Sequence, residues 1–208
     1  MARYTGPVCR LCRREKMKLF LKGAKCGTAA CPIERRPYPP GEHGRGRAKE
    51  TEYMLQLREK QKARRIYGIL EGQLRNYYEE ATRAKGVTGE RLLQLLELRL
   101  DNVVYRAGFA ESRSQARQLV RHGHILIYGK RVDIPSYRVR VGEEISVKLT
   151  GTNPPLIVRH SLDTLTRAVP EWLSANFDTF SVRVLDLPAR HHIDIPVAEN
   201  LIVEFYSK

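Results

Sequence analysis

The sequence predicts an α+β protein with a cysteine-rich arm, a helical region, and a further region of short helices packed on a small antiparallel β-sheet. Three observations support this. All four cysteines of the 208-residue chain lie in residues 1–50, together with five of the eleven prolines. Apolar residues follow a helical period from Glu52 onward, and they alternate with polar residues after Gly123. With 42% hydrophobic residues, the chain can form a modest core in one or two domains.

The arm in residues 1–50 is rich in Pro and Gly, which disfavours helix and strand. Its cysteines have the spacing C-x2-C followed by C-x4-C, which resembles a structural zinc site closed by four thiolates. An iron–sulfur cluster is the alternative, because Cys31-Pro32 resembles the end of a ferredoxin cysteine run. Two disulfides or free buried thiols are the remaining possibility. The candidate ligands are Cys9, Cys12, Cys26 and Cys31.

Residues 51–98 are predicted to form three helices that belong to the first domain. Thr51 is a suitable N-cap for the first helix, and Gly68 ends it. The second helix runs from about Glu71 to Lys85, and Thr88 opens a leucine-rich third helix.

The next region, with an RNA-binding core at about 99–150, mixes short helices with strands. One helix ends at Gly108, and Ser112 with Gln115 has the pattern of a capping box for another that runs to about His122. Residues 125–127 and 137–141 alternate as strands do, and residues 180–185 predict another strand. Residues 201–206 fit helix and strand equally well.

The charge of the chain points to a polyanionic partner. The net charge is +14, of which residues 1–50 carry +9, residues 98–150 carry +5, and residues 151–208 carry −2. Nucleic acid is the first candidate partner and an anionic membrane surface the second. Because no stretch reaches about 18 apolar residues and the first residues lack a signal-peptide pattern, we expect an unexported, soluble protein.

Basic residues recur at helical spacing in two places, so each set lies on one helix face. Arg113, Arg117 and Arg121 form one stripe, and Arg58, Lys62 and Arg65 form the other. A charged stripe is commonly only a solvated face, but no carboxylates are interleaved here. Residues 35–47 add Arg, Gly, Tyr and His, which suit contacts with phosphates and unpaired bases. A solvated linker is the alternative for this segment, and its position next to the cysteines favours RNA binding. The candidate RNA-binding residues are Arg3, Arg10, Arg13, Arg14, Arg35, Arg36, Tyr38, His43, Arg45, Arg47, Lys49, Arg58, Lys62, Arg65, Arg113, Gln115, Arg117, Gln118, Arg121, His122, His124, Lys130, Arg131 and Arg138.

Several of these stretches resemble a known family. Residues 99–108, 112–124 and 128–139 look like the small RNA-binding domain named after the fourth protein of the small ribosomal subunit. Residues 1–7, 57–68 and 201–208 resemble the bacterial members of that ribosomal protein family, so the similarity is nearly end to end. It is weakest over residues 150–192.

The resemblance implies a fold and a set of partners. The second domain, residues 99–198, would be inserted into the first, and the tail at 199–208 would return to the first domain. Such proteins bind a multi-helix junction of small-subunit ribosomal RNA, nucleate assembly and contribute to translational accuracy. They lie where messenger RNA enters the subunit, for which Arg45, Arg47 and Lys49 are our candidates, and they neighbour the fifth small-subunit protein. The candidate residues for that protein contact are Glu199, Asn200 and Glu204.

Two other classes of function could use the same RNA-binding domain or the same positive charge. An RNA-modifying enzyme could carry the same small domain, but no catalytic domain remains once that domain is set aside. Neither a small-molecule substrate nor a membrane partner is expected. Residues 123–131 also fail as a phosphate-binding loop, because they have the wrong glycine spacing and an Arg where a Ser or Thr must hold magnesium. A stand-alone RNA-binding translational regulator is the alternative function.

Overall fold

The protein is described by a computed structural model that covers residues 3–46, 49–151, 153–165 and 167–207. The chain divides into two compact units. The first unit comprises residues 1–92 and 195–208, and the second comprises residues 93–194. Each unit is described separately below.

The arm of the first unit contains only short elements, in keeping with its Pro and Gly content. Helix α1 spans Cys9–Arg14 and helix α2 spans Pro32–Arg35. Two 3₁₀ turns cover Gly23–Gly27 and Glu42–Arg45. Three of the four cysteines are buried here, together with Leu19 and Ile33. The arm therefore has a very small apolar core of its own.

The three helices predicted after the arm are confirmed. They are α3 (Glu52–Ile66), α4 (Glu71–Arg83) and α5 (Thr88–Glu97). The Thr51 hydroxyl accepts a hydrogen bond from the Met54 N–H at 3.3 Å, which caps α3. Gly68 has φ of +64°, the left-handed conformation that commonly follows a helix and that glycine adopts without strain.

The C-terminal segment of the first unit is helical and packs against α3. Helix α9 spans Glu199–Tyr206, which decides the ambiguous pattern in favour of a helix. Its Ile202 is fully buried. On α3, the Lys60 ammonium lies 4.2 Å from the Phe205 ring centroid and donates to Glu71 at 2.7 Å. The tail is thus held by apolar burial and by a buried lysine over an aromatic ring.

Beyond the end of α5, the described residues of the second unit form three α-helices, one 3₁₀ turn (Arg190–His192) and one sheet. The helices are α6 (Leu100–Arg106), α7 (Arg113–Arg121) and α8 (Leu156–Asp163). The Ser112 hydroxyl accepts from the Gln115 N–H at 3.3 Å, as predicted. The Gln115 side chain, however, accepts from the N–H of Glu111 at 2.6 Å instead of returning to Ser112, so the capping box is not closed reciprocally.

The strands form one antiparallel sheet, which confirms the α+β class. They are β1 (Ile125–Ile127), β2 (Lys130–Arg131), β3 (Glu144–Val147), β4 (Leu173–Asn176) and β5 (Ser181–Val184). Their order across the sheet is β2-β1-β3-β5-β4. One face is apolar and buried, because alternate residues such as Ile125, Ile145 and Val182 point the same way. Trp172, the single tryptophan, is 1% exposed in this core.

The strand predicted over residues 137–141 is absent from this sheet. The segment makes one isolated bridge, between Arg138 and Arg99. Its hydrogen bonds run to residues around the start of α6: the Leu100 N–H donates to the Tyr137 carbonyl, and the Val139 N–H donates to the Leu98 carbonyl, both at 2.9 Å. The apolar residues of this segment do alternate, but its backbone bonds to residues at the start of α6 and not to a strand of the sheet.

Candidate nucleic-acid interface

The basic stripe on α7 divides into buried and exposed members. Arg121 is exposed, whereas Arg117 is only 6% exposed. Arg113 is half-buried, with its Nε donating to the Asn102 side chain at 2.8 Å. The Arg113 guanidinium also lies 4.4 Å from the Tyr105 ring centroid. Only part of this stripe therefore faces solvent.

Arg117 is held by a buried carboxylate that two arginines share. Its Nη1 lies 3.2 Å from the Asp101 carboxylate, which is itself 3% exposed as a residue. Arg99 donates to the same carboxylate through Nε at 3.1 Å and Nη2 at 2.9 Å. Because buried charges need such pairing, Arg117 supports the helix from inside in this structure. This burial favours a structural role for Arg117 over the RNA contact predicted from the sequence, and the RNA contacts of the other candidates stay predictions.

The exposed basic residues of the second unit gather where α7 ends and the β1–β2 hairpin begins. The Arg131 guanidinium lies against Gly123, so close that a Cβ there would come within 2.2 Å of its Nε. The His122 and His124 rings are 6.3 Å apart. Cations are favoured at a helix C-terminus by the helix dipole. The exposed members of this hairpin cluster are Gln118, Arg121, His122, Lys130 and Arg131, with His124 half-buried beside them.

Two other candidates of this unit lie nearby in sequence. Arg138 is exposed and pairs with Arg99 through its backbone, and Gln115 is half-buried at the start of α7. We therefore define the hairpin cluster by its six residues alone and treat these two separately.

The α3 stripe is tied to the arm by a buried glutamate. The Glu15 side chain is 1% exposed and pairs with Arg58 at 3.4 Å and with Arg65. Burial raises the pKa of Glu15, and the two neighbouring arginines counteract that effect. Lys62 pairs with Glu59 on the same helix. The sequence pattern predicted no neutralising carboxylates here, but Glu59 supplies one from the same helix and Glu15 supplies another from far along the chain.

In the arm, two arginines flank Tyr38. The Arg13 Nε donates to the Tyr38 carbonyl at 3.0 Å, and Arg45 donates to the Tyr38 hydroxyl at 3.2 Å. Their guanidinium carbons lie 5.1 and 4.9 Å from the ring centroid. The Arg45 hydrogen bond lowers the pKa of Tyr38. The exposed candidates of the arm are Arg3, Arg10, Arg14, Arg35, Arg36, His43, Arg45 and Lys49, and Arg47 lies outside the described residues.

All four cysteines are free thiols, and they line one pocket between α1, the first 3₁₀ turn and α2. Cys12, Cys26 and Cys31 are buried. Burial raises the pKa of Cys12 and Cys26, and repulsion from the neighbouring thiolates adds to the effect. Within the described ranges, no group of three or more His, Cys, Asp or Glu side chains has the arrangement of a metal site. Metal binding by the arm therefore stays a prediction.

The candidates for protein contact lie on α9. Asn200 and Glu204 are exposed, and the Glu204 carboxylate accepts from Gln56 of α3 at 3.0 Å. The Glu199 side chain covers Gly89, where an added Cβ would lie 2.8 Å from its Cγ. The helix thus shows carboxylates at its surface while Ile202 is buried.

Sequence reasoning missed three groups that organise these surfaces: the Asp101 carboxylate, the Glu15 carboxylate and the Arg167 guanidinium. Asp101 lies two residues from Arg99, which is the only local signal among them. Glu15 and Arg167 reach partners 43 or more residues away in the sequence.

None of the helices in the described ranges has both the length and the apolar character of a membrane span.

Comparison with known proteins agrees with this arrangement. Residues 3–97 match the family described as ribosomal protein S4/S9 N-terminal domain, and residues 98–145 match the S4 domain. Over the whole of both chains, the protein is 63% identical to small ribosomal subunit protein uS4 of Acidothermus cellulolyticus. It is 60% and 59% identical, again over both whole chains, to the proteins of the same name from Thermoanaerobacter pseudethanolicus and Acetivibrio thermocellus. The chain therefore belongs to the family of small ribosomal subunit protein uS4.

Proposed function

We propose that this chain is a structural, non-enzymatic constituent of the small ribosomal subunit and that it binds small-subunit ribosomal RNA in the cytoplasm. The observation that carries the proposal is the hairpin cluster at the end of α7, which lies within the S4 domain match. Its exposed cations suit phosphate groups, and its histidines suit stacking on unpaired bases.

The binding surface has more than one part. In the second unit, the exposed residues Gln118, Arg121, Lys130 and Arg131 contact RNA, with Arg113 at the start of the same helix. In the first unit, the exposed arm residues contact RNA, and Tyr38 between two arginines offers an aromatic ring beside fixed positive charge. Two separate basic surfaces suit an RNA junction, in which several helices present phosphates in different directions.

Membership of the family extends the proposal to finer roles. The chain nucleates assembly by binding a multi-helix junction, and Arg45, Arg47 and Lys49 lie where messenger RNA enters the subunit. Glu199, Asn200 and Glu204 face the fifth small-subunit protein, through which the chain contributes to translational accuracy. Acidic side chains suit that contact because ribosomal proteins are commonly basic and complementary charge fixes orientation.

The arm is proposed to hold zinc, with an iron–sulfur cluster as the alternative. The support is the chemistry of the donor set: four free thiols line one pocket, and the Lys22 N–H donates to Cys26 Sγ at 3.3 Å. Closely spaced thiolates repel one another, and a bound cation removes that repulsion. The bound metal would supply folding free energy to a segment with few apolar residues.

The experiment is to purify the tagged chain from growing cells and to sequence the RNA that accompanies it. The expected result is small-subunit ribosomal RNA in particles of subunit size, with binding of the isolated chain falling steeply as salt rises. Scattered messengers with no subunit-sized particle would favour a stand-alone translational regulator. Salt-insensitive binding would contradict the electrostatic account of the interface.

A further inference from the structure

Arg167 lies outside the S4 domain match of residues 98–145. We infer that Arg167 is a positioning residue for RNA binding: it fixes the α6–α7 connection and, through Tyr105, the guanidinium of Arg113. This inference rests on the proposed function. It assigns a role to the segment after the RNA-binding core.

The Arg167 guanidinium joins the end of α6 to the start of α7. Its Nη2 donates to the Tyr105 carbonyl at 2.8 Å and to the Ala110 carbonyl, and its Nη1 donates to the Glu111 carbonyl at 3.4 Å. Tyr105 lies in the last turn of α6, where backbone carbonyls lack partners within the helix; its carbonyl also accepts from the Gly108 N–H at 3.2 Å. Ala110 and Glu111 precede Ser112, the N-cap of α7. One planar group therefore sets where α7 begins relative to α6.

The same segment covers the turn between these helices. Gly108 has φ of +90°, and a Cβ added there would lie 2.9 Å from a Leu165 methyl carbon. Val158 of α8, which precedes this segment, is fully buried in the core of the unit. Leu165 and Arg167 thus cover the α6–α7 connection, Leu165 through its methyl carbons and Arg167 through its polar contacts.

The link to RNA binding runs through the Tyr105 ring. The guanidinium carbon of Arg167 lies 3.8 Å from its centroid, and that of Arg113 lies 4.4 Å from the same centroid. Tyr105 is 7% exposed, so the ring is held within the fold. Arg113 is half-buried at the first position of α7, and it is one of the RNA contacts of the proposed function. If the Arg167 guanidinium were removed, the Tyr105 ring would be less fixed and would hold Arg113 less firmly.

The chemistry of arginine is required for this role. A guanidinium donates in one plane to several acceptors and also stacks on a ring, whereas an ammonium is a compact charge that does neither well. Arg167→Lys therefore keeps the charge and loses the geometry, and Arg167→Met keeps the apolar stem only. If Arg167 acts by position, both variants bind RNA more weakly, by about 3- to 10-fold.

The test is a double-mutant cycle with a transcript of small-subunit ribosomal RNA as the probe. Arg113→Ala and Arg121→Ala are each combined with Arg167→Met, and affinities are measured where Trp172 fluorescence shows every variant to be folded. We expect Arg167→Met to have little further effect in the Arg113→Ala background and its full effect in the Arg121→Ala background. Equal effects in both backgrounds would overturn the inference.

A second measurement separates this inference from the proposed function, because it needs no RNA. In the free protein, nuclear magnetic resonance follows the exchange of the Arg113 Nε–H, which donates to Asn102. We expect Arg167→Met to speed this exchange and Arg121→Ala to leave it unchanged; unchanged exchange in Arg167→Met would overturn the positioning role. Failure of the unmodified chain to bind the transcript would instead overturn the proposed function.

Discussion

Arg117 and Arg121 lie one turn apart on α7, and their surroundings predict opposite effects when each is changed to alanine. The Arg117 guanidinium is buried against Asp101, whereas Arg121 is exposed in the hairpin cluster. Arg117→Ala should therefore lower stability without changing the salt dependence of RNA binding. Arg121→Ala should do the reverse.

The magnitudes follow from burial. Removing one partner of a buried ion pair costs about 3–5 kcal/mol. Because Asp101 keeps two hydrogen bonds from Arg99, we expect about 3 kcal/mol for Arg117→Ala, the lower end of that range. With a urea slope of about 2 kcal/mol per molar, the midpoint falls by about 1.5 M. For exposed Arg121 the change in stability stays within about 0.5 kcal/mol.

Two assays separate the effects. Fluorescence of Trp172, which is the single tryptophan and lies in the same unit, follows urea unfolding. Binding to a ribosomal RNA transcript is measured over a range of salt concentrations under conditions in which every variant is folded. These measurements give the slope of log K against log salt. The slope is negative, and one lost phosphate contact makes it shallower by about 0.7 to 0.9; we expect this for Arg121→Ala only. The reasoning would be refuted if Arg117→Ala changed the slope and left the unfolding midpoint unchanged.

Three further predictions concern the first unit. Cys26→Ser should remove the bound metal, whose contribution to arm folding is on the order of 10 kcal/mol. Residues 1–45 should then become accessible to protease, while the Trp172 unfolding curve stays the same. Elemental analysis and limited proteolysis check this, and full metal content in the variant would contradict it. Burial alone would raise the pKa of Glu71, but hydrogen bonds from Lys60 and Tyr206 outweigh it and place that pKa below its ordinary value. The stability that Glu71 supplies is therefore present above about pH 4.3 and lost as pH falls through the folded pKa; thermal melts should show Glu71→Gln less stable than the parent at pH 7 and equal to it in strong acid, and a gap that does not change with pH would show the reasoning to be wrong. Glu199→Lys should leave RNA binding intact and raise misreading of a reporter codon, and lower RNA affinity with unchanged fidelity would place this surface on the wrong partner.

The sequence by itself determined several of the local elements and the family. Thr51 and Ser112 cap the helices they were predicted to cap, because a hydroxyl one residue before a helix meets its unpaired N–H groups. The β1–β2 hairpin turns at Tyr128 and Gly129, which both have positive φ. These features depend on residues that are close together in the chain, so their pattern is visible without a structure.

Only the tertiary structure decided which charged residues are exposed. The period of α7 places Arg113, Arg117 and Arg121 on one face, but Arg117 is buried and pairs with Asp101 of α6. Glu15 likewise pairs with α3, and residues 137–141 alternate like a strand yet bond to the start of α6. The physical reason is the same in each case: spacing along the chain fixes the direction of a side chain, whereas burial and pairing depend on which distant segment packs against it.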